Sequence, residues 1–202
     1  ACEGSALGNQ KRILGGDGMS KTLSDMVTET ASYVKFDLAD DDGDEIANRI
    51  KSAINEAKNI LAQRYSMTTS ENVTLDENAC FDTSDLTETF WGLRSVNSGV
   101  KTQMQSGLIW CDAAPGEDVS VEYDYIPADL AADGDVFPFP DGVSWRIPCY
   151  YAAARYYEIK GSSTSLNKYR YWMNEFESAV NALRGGGKFL RRRIKAVYNM
   201  GD

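Results

Sequence analysis

The chain of 202 residues contains no histidine at all. That removes the usual general base for a serine or cysteine nucleophile, and the commonest nitrogen ligand for zinc. Its four cysteines, Cys2, Cys80, Cys111 and Cys149, are scattered with no CxxC spacing, so clustered thiolate ligands are missing as well. Free thiols in a reducing compartment are the expectation. No GxxxxGK[ST] run is present to cradle a phosphate, and no GxSxG marks a nucleophile elbow. No uniformly apolar run reaches the ~18 residues of a spanning helix. Residues 1–18 hold no apolar stretch of the secretory-leader kind. No internal repeat is found. These absences predict a protein with no catalytic residues, no cofactor, no metal and no membrane partner, one that works through its surfaces.

What is present is enough for a core. Residues of apolar type make up 43% of the chain and charged residues 25%, which argues against wholesale disorder. The net charge of −9 is unevenly spread. Residues 184–202 hold six bases (Arg184, Lys188, Arg191, Arg192, Arg193, Lys195) against the single acid Asp202, a net of +5. The remainder carries 15 bases against 29 acids, a net of −14. An acidic body repels phosphate, while a basic tail suits an acidic partner.

The order of patterns predicts an α+β chain: mainly a helical bundle of about four helices, with a β insertion between two helix pairs and extended arms at both ends. Residues 1–18, with five glycines, read as an N-terminal arm, and 19–184 as one domain. Thr22-Leu23-Ser24-Asp25 resembles a capping box with Asp in place of Glu, opening a short helix to about Phe36. After an aspartate run, Asp44 is the expected N-cap of a second helix. There Ile46, Ile50, Ala53, Ile54, Ala57, Leu61 and Tyr65 form one apolar stripe. Asn48, Lys51, Asn55 and Asn59 are expected to face water.

From 66 to 141 short Thr-, Val- and aromatic-rich runs alternate with turn residues. Strands are expected at Val73–Leu75, Thr87–Val96, Lys101–Met104, Leu108–Cys111 and Val119–Ile126. Hairpin turns are expected at Asn97-Ser98-Gly99 and Ser106-Gly107, and a crossing loop from Ala128 to Gly142. A third helix begins at Ile147-Pro148, with Pro in the first turn, where it is tolerated. Ser165 is the expected cap of the fourth. Leu166, Tyr169, Trp172, Met173, Phe176, Val180 and Leu183 make its stripe, expected to pack on the second helix through Trp172, Phe176 and Val180. Gly185-Gly186-Gly187 reads as a hinge before the C-terminal arm, 185–202.

Candidate chemistry is sparse. The run Asp40 to Asp44 invites a calcium loop. With Gly43 at the sixth position, Leu38 and Arg49 fall where an EF-hand needs Asp and Glu, so an acidic helix-capping loop fits better. Carboxylate pairs (Asp82 with Asp85, Glu117 with Asp118, Asp133 with Asp135) have the residue types for acid/base work, but a chain with 30 acids contains such pairs by chance. The aromatics Tyr150, Tyr151, Tyr156, Tyr157, Tyr169, Tyr171 and Trp172 suit base stacking or core packing, and their helical spacing favours the core. Tyr156 and Tyr171 lie off the stripes and are left to face a neighbouring subunit. The basic arm is either a phosphate-binding tail or a docking segment. Its interleaved Phe189, Leu190, Ile194, Val197 and Tyr198 favour docking on a protein.

TLSDMVTETASYVKF, DEIANRIKSAINEAKNILAQRY, EDVSVEYDYIP and IPCYYAAARYYEIKG…SLNKYRYWMNEFESAVNAL together resemble the head-to-tail connector (neck adaptor) proteins of tailed bacteriophages, over roughly residues 20–184. The resemblance implies a structural virion protein, made in the host cytoplasm and placed in the virion neck. It implies a homo-oligomeric ring, usually a dodecamer, bound to the portal protein above and to tail or stopper proteins below. DNA would pass through the lumen without specific binding. Docking on the portal would fall to Lys188, Phe189, Leu190, Arg191, Arg192, Arg193, Ile194, Lys195, Val197 and Tyr198. The alternatives are another tail-completion or head-decoration protein, or a nucleic-acid-binding regulator that uses the basic arm.

Overall fold

A computed structural model describes residues 21–97, 99–159 and 162–186, with side chains through Leu183. The N-terminal arm, Gly187 and the docking segment Lys188–Tyr198 lie outside the described residues. The fold is α+β, with helices α1 (Leu23–Val34), α2 (Gly43–Tyr65), α3 (Arg146–Ile159) and α4 (Ser163–Gly186). Between α2 and α3 run strands β1 (Thr68–Thr74), β2 (Cys80–Asp82), β3 (Thr89–Val96), β4 (Thr102–Gln105), β5 (Leu108–Cys111) and β6 (Asp118–Ile126), with a 3-10 turn at Thr83–Asp85.

The first helix opens on the expected capping box. The Thr22 hydroxyl accepts the Asp25 N–H at 3.3 Å, and the Asp25 carboxylate accepts the Thr22 N–H at 3.1 Å. That backbone bond holds the Asp25 carboxyl below its ordinary range, against a smaller opposing desolvation. The second helix starts earlier than expected. Its N-cap is Asp42, whose side chain makes no capping bond, while Asp44 and Glu45 sit in the first turn against the positive end of the dipole. The cause is a tight loop: the Gly43 N–H donates to the Asp40 carbonyl at 2.8 Å. A Cβ on Gly43 would lie 2.1 Å from the Leu38 carbonyl oxygen.

The third helix is the centre of the bundle. Ile147, Pro148, Cys149, Tyr151, Ala152, Ala153, Ala154 and Tyr157 are all buried, so the helix is covered almost all round. The small side chains of Ala152 to Ala154 let α1, α2 and α4 approach it closely. This corrects the expected α2–α4 packing: α3 lies between them, and α4 touches α2 only marginally. The expected stripe residues Ile50, Ile54, Leu61, Phe176 and Val180 do share one core, completed by Leu23, Met26, Ile147 and Tyr151.

Three further details at α4 differ from expectation. Ser162, not Ser165, caps it, its hydroxyl accepting the Ser165 N–H at 3.2 Å. Leu166 is exposed, and the inward stripe starts at Tyr169. Gly185 and Gly186 belong to the helix rather than to a hinge.

The β region makes two antiparallel three-stranded sheets, β1-β6-β3 and β2-β5-β4. Their inner faces share a second core of Leu75, Phe81, Val96, Ile109, Val119, Val121 and Tyr123. The alternation Val119, Val121, Tyr123 inward and Ser120, Glu122 outward holds along β6 as the period predicts. β1 begins at Thr68, earlier than expected, and β2 has no counterpart among the expected strands. Ser106-Gly107 is the expected hairpin turn, both residues having positive φ (52° and 85°), as a type I′ turn requires. Asn97 to Gly99 is not a hairpin turn: β3 pairs with β6 and β4 with β5, so this turn passes the chain from one sheet to the other.

Two polar side chains of α2 pin the crossing loop. Lys58 is fully buried, its ammonium donating to the carbonyls of Pro127 and Ala128 and to the Asp129 carboxylate (2.8 Å to Ala128, 3.0 Å to Asp129). Asn55, expected to face water, is half-buried: its amide donates to the Leu130 carbonyl and accepts the Leu130 N–H. A cation among three oxygens meets the requirement that a buried charge be paired.

Candidate interaction surfaces

Five of the six carboxylates in the candidate pairs are engaged locally. Asp82 accepts the N–H and hydroxyl of Ser84, and these bonds hold its carboxyl below the ordinary range. Glu117 accepts the Ala114 N–H, Asp118 the Thr74 hydroxyl at 2.6 Å, and Asp135 the N–H groups of Ala131 and Ala132. Asp133 pairs with Lys51 at 2.7 Å. Among the described residues no group of three or more Cys, Asp or Glu is placed to hold a metal ion. Cys80, Cys111 and Cys149 are buried free thiols. Burial pushes Cys149 up to about 12. No described helix is long and apolar enough to cross a membrane.

Most of the helix-pair aromatics pack inward. Tyr33 of α1 stacks on Trp172 (centroids 4.8 Å apart) and on Tyr150 (5.7 Å), joining three helices in one aromatic cluster. The Tyr33 hydroxyl donates to Glu29 at 2.7 Å, and burial together with that bond pushes its pKa far up. Tyr151 packs on Phe176 and Tyr157 reaches the Val34 carbonyl. Of the two residues off the stripes, Tyr156 is half-buried, its ring against Phe36 and Tyr157, whereas Tyr171 is exposed.

Among the described residues large apolar side chains remain exposed on the sheets, on the helices and, as Val136, in the crossing loop. Trp91 on β3 and Met104 on β4 are about half exposed. On the helical side Leu166 and Tyr171 are about half exposed, and Ile159 at the end of α3 is 65% exposed. Beside Ile159 a small apolar groove between α2 and α3 is lined by Ile46, Ile50, Ala53, Ala152 and Tyr156. Its rim arginines are already paired, Arg49 with Glu45 and Arg155 with Glu56 and Glu158. Sequence patterning missed Trp91 and Met104 because an aromatic or Met in a strand reads as core. It missed Leu166 because that residue fits the helical stripe by spacing alone.

The outer face of sheet β1-β6-β3 is polar. Thr68, Ser70, Ser95, Asn97, Ser120 and Glu122 line a shallow trough across it. On its inner side Tyr123 is fully buried, donating to Glu71 at 2.6 Å and accepting the Glu88 N–H. Burial and the Glu71 bond push Tyr123 up to about 12. For Glu71, burial pushes upward, but bonds from the Thr87 hydroxyl, the Tyr123 hydroxyl and the Thr87 N–H outweigh it and hold the carboxyl low.

The ten residues of the expected docking arm, Lys188 to Ile194 with Lys195, Val197 and Tyr198, lie outside the described residues, so the surfaces above are those of the acidic body. No known protein family matches the chain, and no curated protein is significantly similar to it in sequence.

Proposed function

We propose that the chain is a structural subunit of a tailed-phage virion. Its copies would assemble head to tail into a ring that joins the portal vertex to the tail and lets DNA pass. The observation that carries this reading is the spread of exposed apolar side chains over unlike elements: Trp91 and Met104 on the sheets, Val136 in the crossing loop, and Ile159, Leu166 and Tyr171 on the helices. Two unlike adhesive surfaces on one chain pair heterologously, and a heterologous contact whose rotation closes gives a ring. The acidic body supports the conduit role, since a wall of net negative charge does not hold the DNA backbone. The apolar and basic arm from Lys188 to Tyr198 is assigned to the portal, with Phe189, Leu190 and Ile194 supplying most of the affinity. Exposed ion pairs from Arg191, Arg192 and Arg193 would each add ~1 kcal/mol or less.

The test is native mass spectrometry of the purified full chain with negative-stain imaging. A closed ring of fixed stoichiometry is expected, and Trp91→Ser or Tyr171→Ser should break the ring into smaller species while the circular dichroism is unchanged. A chain that stays monomeric alone and with portal rings overturns the reading. Tight, salt-sensitive DNA binding by a chain lacking 185–202 would favour a nucleic-acid-binding regulator instead.

A further inference from the structure

Sheet β1-β6-β3 ends on β1, an edge that no other strand among the described residues pairs with. β1 pairs with β6 without a register break over seven residues, Thr68 opposite Asp124 to Thr74 opposite Asp118. The Tyr125 N–H donates to Met67, and the Leu75 N–H to Glu117, at the two ends of this ladder. Both belong to the odd-numbered residues, so Thr69, Glu71 and Val73 direct their backbone groups at β6. It follows that Thr68, Ser70, Asn72 and Thr74 direct their N–H and C=O groups outward. No backbone bond to these groups occurs among the described residues.

Of the usual guards of an edge this strand keeps only an inward-pointing charge, Glu71, whereas the other edges are short, bulged or basic. A sheet edge is normally protected by shortness, a bulge, proline, or a charge. The opposite edge of the same sheet, β3, is broken by register shifts between Phe90 and Gly92 and between Leu93 and Ser95, and it carries Arg94. In the second sheet the edges β2 and β4 have three and four residues. β1 has no proline, lysine or arginine. Its one charge, Glu71, is drawn across the sheet to Thr87 and Tyr123, away from the free edge. The flanking acids Asp118 and Asp124 already accept the hydroxyls of Thr74 and Thr68.

We propose that β1 pairs antiparallel with β1 of a second copy, joining two sheets into one continuous sheet across a two-fold axis. The outward row of the strand is self-complementary. Centred on Glu71, the two-fold places Thr68 opposite the second copy's Thr74 and Ser70 opposite its Asn72, uncharged pairs of the kind that favour cross-strand contact. The two Glu71 residues meet on the axis as a like-charge pair, which opposes the contact, and the bonds from Thr87 and Tyr123 hold each carboxylate back from it. All four outward residues then exchange both backbone bonds. A charged partner segment would find no counter-charge in this strand's outer row of Thr68, Ser70, Asn72 and Thr74. This contact is two-fold and so distinct from the heterologous contacts of a ring; it links subunits, or whole rings, in pairs.

Residue-resolved hydrogen exchange of the full chain across a dilution series, alongside sedimentation velocity, tests the proposal. The amides of Thr69, Glu71 and Val73 should be protected at every concentration. Those of Ser70 and Asn72 should gain at least ~10-fold protection only where sedimentation shows association. Ser70→Pro and Asn72→Pro each delete one outward N–H and leave the bonds to β6 in place, so they should abolish this association without changing the circular dichroism. Fast exchange at Ser70 and Asn72 in the associated protein overturns the proposal whatever the variants do. Protection that appears only on adding portal rings also overturns it, and assigns the edge to that protein. A ring with a fast-exchanging β1 edge would refute this contact and leave the ring reading intact. A dimer with a protected edge and no ring would do the reverse.

Discussion

Phe176 and Leu166 lie ten residues apart in one helix and belong to the same apolar stripe by spacing, so truncating each to alanine separates what packing does from what periodicity suggests. Phe176 is almost fully buried, its ring 5.0 Å from that of Tyr151, within the core shared by α2, α3 and α4. Phe176→Ala should cost ~3–5 kcal/mol, the transfer of the ring plus the cavity left where α3 cannot collapse. For a domain of this size ~1 kcal/mol shifts the melting temperature by roughly 2–4 °C. The expected fall is therefore ~6–20 °C, read by differential scanning calorimetry at a concentration that holds assembly constant. Leu166 is 47% exposed, just after the Ser162 cap, and makes no part of that core. Leu166→Ala should stay within ~0.5 kcal/mol, or about 2 °C, of the parent. Equal losses at both positions would refute the packing of α4 on α3 through Phe176, and a loss below ~1 kcal/mol at Phe176 would do so more directly.

The loop before α2 gives a prediction of opposite sign to helix propensity. Gly→Ala inside a helix ordinarily gains ~1 kcal/mol, but at Gly43 the new Cβ would meet the backbone of Leu38. Gly43→Ala should instead lose ~1–3 kcal/mol, and a raised melting temperature would show the loop to be loose. Glu71 supplies a pH test. Its carboxyl is held below its ordinary value of 4.5, so its contribution is fully present above that pH and fades as pH falls through the lower folded value. Urea unfolding of the parent and of Glu71→Gln between about pH 6 and pH 3 should show a steeper acid loss in the parent. Parallel curves would mean that the bonds from Thr87 and Tyr123 do not favour the charged form.

The parts of this fold legible in the sequence are those where one local rule decides. Thr22 and Asp25 make a capping box because nothing else competes for those N–H groups, and Ser106-Gly107 must turn because both residues accept positive φ. The α2 stripe and the β6 alternation are visible because each faces a single core. What is not legible depends on which elements meet. The central position of α3 follows from Ala152, Ala153 and Ala154, which carry little hydrophobic signal yet permit three helices to approach. Asn55 reads as solvent-facing because its partner Leu130 lies 75 residues away, and the partners of the buried Lys58 at 127–129 are about as distant. Short strands mislead in the same way, since Asn97 to Gly99 has the composition of a hairpin turn whether or not the strands it joins pair with each other.

The same distinction separates the two contacts proposed between copies. A heterologous contact needs two unlike surfaces, and Trp91 and Met104 on the sheets with Ile159, Leu166 and Tyr171 on the helices are the side chains offered for them. The β1 contact needs no special side chain, only a regular strand whose backbone groups are left outward, so composition cannot announce it. Its strength is set by what is missing: a bulge, a proline or a free charge at Glu71. Restoring one such guard without touching the cores, as Asn72→Pro does, should therefore change association and leave folding alone.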